Sequence, residues 1–173
     1  MRLALFSDIH SNFHALEAVL GDMARRGPDA MVCLGDITQK GPLPKECVDR
    51  VRDLGCPIVL GNTDGSFHPD RSPHNYTPRN QSQVETIADF DRHRAALTEA
   101  DQAWLYSFPM SHTETHESMR LDFFHATPHD NYVLFWPWSA NSELSLLRLS
   151  PETRVSAFGH NHRPFIRFAD GLL

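Results

Sequence analysis

Short apolar segments alternate with amphipathic segments along the first third of the chain. Apolar runs that end abruptly at polar residues predict buried strands, and apolar residues with helical spacing predict helices. By these criteria, strands are predicted at residues 2–6, 30–34 and 57–60, and helices from Asn12 to a stop at Gly27-Pro28 and over 44–54. This alternation predicts parallel strands that are joined by right-handed helical crossovers.

The rest of the chain predicts more elements around two irregular segments, at residues 65–80 and 126–140. Thr98 and Asp101 resemble a capping box, which predicts a helix starting at Thr98. The other predicted elements are a helix over 81–96, a hairpin of 109–115 and 119–124, a helix over 142–149 capped by Asn141, a strand over 154–158, and a strand over 163–169 that closes on an Asp170-Gly171 turn.

Length and composition predict one globular domain spanning residues 1–173. The formal net charge of -6 argues against a strong nucleic-acid surface, and no apolar run is long enough for a membrane span. The start of the chain reaches Asp8 too soon for a signal peptide, so we expect a cytoplasmic protein without a membrane partner.

Because the sequence stops at Leu173 inside an apolar run, we expect the domain to lack its C-terminal strands. Either the native chain continues, or another chain, as in a homo-oligomer, covers the exposed edge.

The unusual feature of the composition is its eleven histidines. Imidazole is the commonest metal ligand, so this excess directs attention to a metal site. Two Asp-x-His triplets occur where about one is expected by chance. Asp8-Ile9-His10 directly follows the first predicted strand, whereas Asp91-Arg92-His93 lies inside a predicted helix and is interpreted as the chance occurrence.

Further metal-ligand residue types stand where other predicted strands end. Since the carboxyl ends of strands line one crevice in open α/β sheets, we expect these residues to converge. They are Asp8 with His10, Asp36, Asn62, His125, and His160 with His162. Carboxylate, amide and imidazole ligands together suit first-row transition metals. Two such ions about 3.5 to 4 Å apart can hold an attacking hydroxide and the flanking oxygens of a phosphorus centre.

The ordered blocks carry a resemblance to a known family. The chain resembles the calcineurin-like metallophosphoesterases over residues 3 to 168, and most of all their small bacterial and archaeal phosphodiesterase-like branch. The blocks are Asp8-x-His10, Gly35-Asp36, Gly61-Asn62-Thr63-Asp64, His125 and Gly159-His160-Asn161-His162. The resemblance implies an α/β fold, in which a two-sheet β sandwich is flanked by helices in four αββα layers.

The same resemblance implies two divalent or trivalent metal ions, with Mn favoured and Fe, Ni or Zn as alternatives. One ion would be bound by Asp8, His10, Asp36 and His162, and the other by Asp36, Asn62, His125 and His160. Asp36 would bridge the ions, and Asp36, Asn62 and His125 would belong to the catalytic machinery. The implied activity is hydrolysis of a phosphodiester or phosphomonoester substrate by a metal-bridging hydroxide.

Two positions depart from the family pattern. Ala126 follows His125 where the family usually has glycine, and Thr63 stands where larger relatives have a histidine that acts on the leaving group. Because Thr63 cannot supply an acid, we ask whether His68 or His74 in the following loop replaces it. A protein or dinucleoside polyphosphate phosphatase, or a catalytically silent scaffold or binding module of the same fold, are the alternative functions.

Overall fold

The predicted helices of the first half of the chain form with their predicted caps. A computed structural model describes residues 1–168, and helix α1 spans Phe13–Arg26 within it. The Asn12 side chain accepts a hydrogen bond from the Ala15 amide, and Gly27 ends α1 in a left-handed conformation. Helix α2 spans Pro44–Leu54, as predicted. Asn62–Gly65 forms one helical turn, α3, at the start of the polar loop.

The later helices follow the same capping rules. Helix α4 spans Gln81–Ala96, and α5 spans Glu99–Tyr106 behind the predicted capping box of Thr98 and Asp101. Three short 3-10 segments complete the helical elements of residues 1–168: Pro69–Arg71, Pro73–Asn75 and Asn141–Leu147. The prediction of a helix over 142–149 capped by Asn141 is therefore corrected, because that element is a 3-10 helix whose cap is Ala140. None of the helices in residues 1–168 combines the length and apolar character needed to cross a membrane.

Within residues 1–168, five strands form two sheets. Strands β1 (Leu3–Phe6) and β2 (Ala30–Cys33) pair in parallel, with Leu3 opposite Ala30. Strand β3 (Ser111–His116) pairs antiparallel with β4 (Met119–Phe124), and β4 pairs in parallel with β5 (Thr153–Ala157). The predicted hairpin turn is confirmed, since Glu117 and Ser118 both have positive φ, as its tight reversal requires.

Two of the predicted strands are wrong. Residues 57–60 make only one parallel bridge, between Ile58 and Cys33, because the chain turns away after the Val59 amide has bonded to Cys33. Residues 163–168 form no strand, although their sequence is apolar enough for one. The end of that predicted strand, the Asp170-Gly171 turn and the last apolar residues lie outside the described residues.

Side-chain alternation along the strands produces the layers of the sandwich. Successive strand residues point to opposite faces, so Phe6 and Cys33 face the helices while Val32 faces the other sheet. Between the sheets, Val32, Leu34 and Val59 pack with Phe123. Phe124, the next residue, instead packs outward against Leu144 and Leu147 of the 3-10 helix. The predicted two-sheet α/β sandwich is confirmed, and its strand ends share one edge.

Phe123 tests the packing between the sheets because it is fully buried there. Phe123→Ala is expected to lower the free energy of unfolding by about 3 to 5 kcal/mol, through lost burial and a residual cavity. Phe168 is 78% exposed, so Phe168→Ala is the matched control, with an expected change within about 0.5 kcal/mol. Urea unfolding measures both, and equal small losses would contradict the sandwich interior.

Candidate metal centre

All seven predicted ligands lie together at the edge of the sandwich where the strands end. Asp8 and His10 follow β1, Asp36 follows β2, and His125 follows β4 directly. The ligating atoms fall into two compact clusters, each within 4.8 Å: Asp8, His10 and His162, here the first cluster, and Asp36, His125 and His160, here the second cluster. Asn62 joins the second cluster through its amide, which lies 3.1 Å from Nε2 of His125.

In the first cluster two imidazole nitrogens point at each other. Nε2 of His10 lies 3.1 Å from Nε2 of His162, and the latter lies 3.2 Å from Oδ1 of Asp8. Nδ1 of His10 donates to the carbonyl of Thr38 at 3.2 Å, which leaves the lone pair of His10 on Nε2. The same lone pair also faces the Lys40 ammonium at 3.0 Å, so a metal ion there would take the place of this contact. Two imidazoles and a carboxylate are ligand types that transition metals take in proteins. The donor set therefore fits a metal ion.

The second cluster repeats the arrangement. Nδ1 of His125 donates to the Leu34 carbonyl at 2.8 Å, and Nε2 of His160 donates to the Tyr132 carbonyl at 3.1 Å. Each ring thus directs its other nitrogen toward Asn62, whose amide lies 3.0 Å from Nδ1 of His160. Histidines that ligate metals almost always donate their second nitrogen to a carbonyl or carboxylate, which fixes the tautomer and the ring orientation.

Asp36 lies between the clusters. One carboxylate oxygen is 3.6 Å from Nε2 of His10, and the other is 3.5 Å from Nε2 of His125. Burial alone would raise the pKa of Asp36, but the hydrogen bond and charge of His125, with the charge of His10, lower that pKa to about 2. Asp36 is therefore an anion at neutral pH in a site where it is only 2% exposed.

Burial keeps two of the histidines ready to act as neutral ligands. It lowers the pKa of His10 despite the opposing charge of Asp36, and it lowers the pKa of His160 with help from the charge of His125. For His125, burial is outweighed by its hydrogen bond to Asp36, and the pKa is raised. The same contact stabilises the ionised carboxylate of Asp36.

Backbone strain is concentrated at the predicted ligands. Five of the seven have positive φ: Asp8 (55°), His10 (47°), Asp36 (56°), His160 (70°) and His162 (52°). This left-handed conformation is unfavourable for L-residues, although Asp, Asn and His tolerate it best. Strain of this kind persists where the surrounding structure holds it, and it clusters at functional sites.

Asp64 is a residue of the site to which sequence reasoning assigned no role. Its carboxylate accepts hydrogen bonds from the amides of Ile37 (3.0 Å) and Thr38 (3.3 Å), directly after Asp36. Burial and the nearby charge of Asp36 raise the pKa of Asp64 to about 7. Its position in the Gly-Asn-x-Asp block was visible, but its partners lie 26 and 27 residues away in sequence.

Lys40 was also not predicted. Its ammonium lies 3.0 Å from Nε2 of His10, so a positive charge stands beside the first cluster. Arg79, a basic residue of the irregular segment 65–80, is exposed, and its backbone amide donates to Gln83. The position of Lys40 could have indicated this from the sequence, because Lys40 lies four residues after Asp36, in the loop that follows β2 and enters the site.

A comparison of the sequence with known families now identifies the fold. The family model described as calcineurin-like phosphoesterase matches residues 1–164. The chain belongs to this family. Residues 1–168 accordingly form the calcineurin-like phosphoesterase fold, and the two clusters lie where the family's blocks converge.

Two relatives at 30% identity and one further solved structure resemble this chain. It is 30% identical to the uncharacterized protein MJ0912 of Methanocaldococcus jannaschii, over 99% of this chain and 66% of that one. It is also 30% identical to a metallophosphoesterase from Sphaerobacter thermophilus, with a TM-score of 0.64 over 94% of this chain and 60% of that one. The hypothetical protein PH1004 of Pyrococcus horikoshii shares the fold, with a TM-score of 0.75 at 16% identity, over 94% and 70% of the two chains. The chain therefore spans less than two thirds of the first two relatives.

The two departures from the family pattern have structural explanations. Ala126 is buried and its φ lies outside the left-handed region, so the methyl group fits without strain. The Thr63 hydroxyl donates to the Thr38 carbonyl, and the Thr63 amide donates to Asp36 at 2.9 Å. The Thr63 hydroxyl therefore supports the loop at Thr38, while its backbone amide supports the carboxylate of Asp36.

Neither loop histidine reaches the clusters in this structure. His68 accepts a hydrogen bond from the Asp70 amide and packs against Tyr106. His74 pairs with Asp91 on α4 at 2.7 Å and contacts Phe90. Within residues 1–168, neither ring bonds to any of the seven predicted ligands.

Gly61 tests the close approach that places Asp36. A Cβ at position 61 would collide with the backbone nitrogen and Oδ1 of Asp36. Gly61→Ala is therefore expected to weaken metal binding about 10-fold or more, the scale seen when groups that orient ligands are changed. Titration calorimetry with Mn²⁺ measures the change. The matched control is Gly21→Ala in α1, where the Cβ meets only a flexible Arg25 atom at 3.8 Å. Unchanged metal affinity in Gly61→Ala would contradict the tight placement.

Proposed function

We propose that this chain is a binuclear metal-dependent phosphoesterase that hydrolyses phosphate diesters or monoesters. The observation that carries the proposal is the pair of clusters with the Asp36 carboxylate between them, 3.6 Å from His10 and 3.5 Å from His125. The 30% identity to the Sphaerobacter thermophilus metallophosphoesterase supports the same chemistry.

The proposed metal ligands keep their predicted partition. Asp8, His10, Asp36 and His162 would hold one ion, and Asp36, Asn62, His125 and His160 the other. Mn²⁺ is the favoured ion, with Fe, Ni²⁺ or Zn²⁺ as alternatives. When bound, such a pair supplies an activated water and charge stabilisation at phosphorus.

The protein's own residues prepare the site for that chemistry. Carbonyl groups hold three imidazoles in fixed tautomers, and burial keeps His10 and His160 neutral. The amide of Thr63 and the imidazole of His125 stabilise the ionised Asp36. The first cluster is the more open one, because the His162 side chain is 48% exposed while His125 is fully buried. We therefore propose that the phosphate ester approaches from the side of His162.

Asp36→Asn tests the bridging role. We expect the unmodified protein to bind two equivalents of Mn²⁺, and Asp36→Asn to bind at most one and to lose phosphoesterase activity, because one ligand shared by both ions has lost its charge. Elemental analysis of metal-saturated protein measures the stoichiometry. Asp53 is exposed on α2, so Asp53→Asn is the matched control that should retain both ions.

The activity itself is tested on a panel of phosphodiesters, phosphomonoesters, a phosphoprotein and a dinucleoside polyphosphate, with metal added back to stripped protein. Metal-dependent turnover of any of these substrates supports an enzyme, and the preferred substrate decides among the phosphodiesterase and phosphatase alternatives. Stoichiometric metal binding without turnover of the panel would contradict the proposal and favour the silent scaffold or binding module.

The position of Thr63 generates a prediction about leaving groups. A positioned general acid contributes roughly 10² to 10⁴ in rate, and Thr63 cannot act as one. We expect kcat/KM to fall steeply as the leaving group becomes more basic, with aryl and phosphoanhydride groups preferred over alkyl groups. Because His68 and His74 are bound elsewhere, His68→Ala and His74→Ala should leave the slope unchanged. If kcat/KM of the unmodified protein does not depend on the leaving-group pKa, another general acid is present. A steeper dependence in either variant would identify the replaced histidine as that acid.

A further inference from the structure

His93 of α4 is buried, although its triplet in the sequence suggested only a chance occurrence. It is 3% exposed, and both of its ring nitrogens face carbonyl oxygens. Nδ1 lies 2.8 Å from the carbonyl of Asp89, one helical turn earlier, and Nε2 lies 2.9 Å from the carbonyl of Gly41. Since a carbonyl can only accept, the bond to Gly41 requires a proton on Nε2, and both bonds together require the imidazolium, whose Nδ1 lies 3.6 Å from Oδ2 of Asp89.

Asp89 of the same helix holds the neighbouring peptide unit. Its Oδ2 accepts a hydrogen bond from the Lys40 amide at 2.9 Å, while its Oδ1 pairs with Arg92. Helix α4 thus supplies an acceptor to Lys40 and a donor to Gly41. These partners matter because Gln39 and Lys40 have φ of 67° and 68°, a conformation that non-glycine residues do not hold without support.

The turn that α4 holds surrounds His10. The Gly41 amide donates to the His10 carbonyl at 2.9 Å, and the Thr38 carbonyl accepts from the His10 ring at 3.2 Å. The approach at Gly41 is so close that a Cβ there would collide with the His10 carbonyl. Lys40 adds its ammonium beside the same ring. A shift of residues 38–41 would therefore move His10 as well.

We propose that His93 and Asp89 are positioning residues for the metal centre, holding residues 38–41 so that His10 presents Nε2 to the first cluster. Their hydrogen bonds go to Lys40 and Gly41 and to residues of α4, not to a predicted ligand. The proposal rests on the proposed function only in treating His10 as a ligand. The structural part of it, that α4 fixes the turn around His10, does not depend on metal.

Hydrogen exchange of the metal-free protein tests the structural part. The Leu43 amide donates to the Ser11 carbonyl at 3.1 Å, so it reports on the same turn. In His93→Leu and in Asp89→Ala, the amides of Lys40, Gly41 and Leu43 should exchange roughly 5- to 10-fold faster, because each variant removes one hydrogen bond from the turn. His93→Gln restores a donor toward Gly41 and should return exchange at Gly41 and Leu43 toward the unmodified rate.

His14 is exposed on α1, so His14→Leu is the matched control and should leave the exchange of these amides unchanged. Unchanged exchange of the turn in folded His93→Leu and Asp89→Ala would overturn the proposal. Asp89, on the helix surface with 17% of its side chain exposed, keeps the test valid if His93→Leu fails to fold.

Metal titration then tests the link to the site. His93→Leu should weaken one of the two Mn²⁺ equivalents about 10-fold and spare the other, and His93→Gln should recover most of the loss. A role in stability alone would lower the melting temperature without this selective change, and would overturn the positioning role. If the unmodified protein binds no metal, the proposed function fails, while the exchange result still decides whether α4 fixes the turn.

Discussion

The buried negative charge of Asp36 is the constraint on which the site depends. A carboxylate that is 2% exposed is stable only if polar partners replace the water it has lost. The Thr63 amide supplies one partner, and the imidazoles of His10 and His125 approach from its two sides. Asp64 fixes the next two amides of the same loop. Gly61 packs so closely against Asp36 that a Cβ there would collide with its backbone nitrogen and carboxylate.

Around Asp36, the protein fixes the positions of the proposed metal-ligating atoms before any metal ion binds. Backbone carbonyls from two loops, that of Leu34 and Thr38 and that of Tyr132, fix the tautomers of His10, His125 and His160. Left-handed backbone at five predicted ligands shows that the strand ends are bent sharply to bring these atoms together. The two sheets supply the rigidity for this, because Phe123 and the β2 residues Val32 and Cys33 are fully buried directly before the loops of the site. Preorganised ligands and a packed support are together what a catalytic metal centre requires.

The sequence predicted the parts of this account that depend on local pattern. Strand ends can be inferred from apolar runs, and five of the seven predicted strands end just before a residue that the structure brings to the site. Contacts distant in sequence could not be read in this way: Asp64 finds its partners across 26 and 27 residues, and the strand predicted at 57–60 loses most of its pairing. His93 is the clearest case. A histidine inside a helix has the same sequence pattern whether it faces solvent or, as here, buries itself against a loop 52 residues earlier.

The central claim is that Asp36 bridges two metal ions, and anomalous diffraction from crystals soaked in Mn²⁺ tests it most directly. The account predicts two anomalous peaks roughly 3.5 to 4 Å apart, one on each side of the Asp36 carboxylate. The peak beside His10 should be bounded by Asp8 and His162, and the peak beside His125 by Asn62 and His160. A single peak, or two peaks that do not share Asp36, would contradict the account.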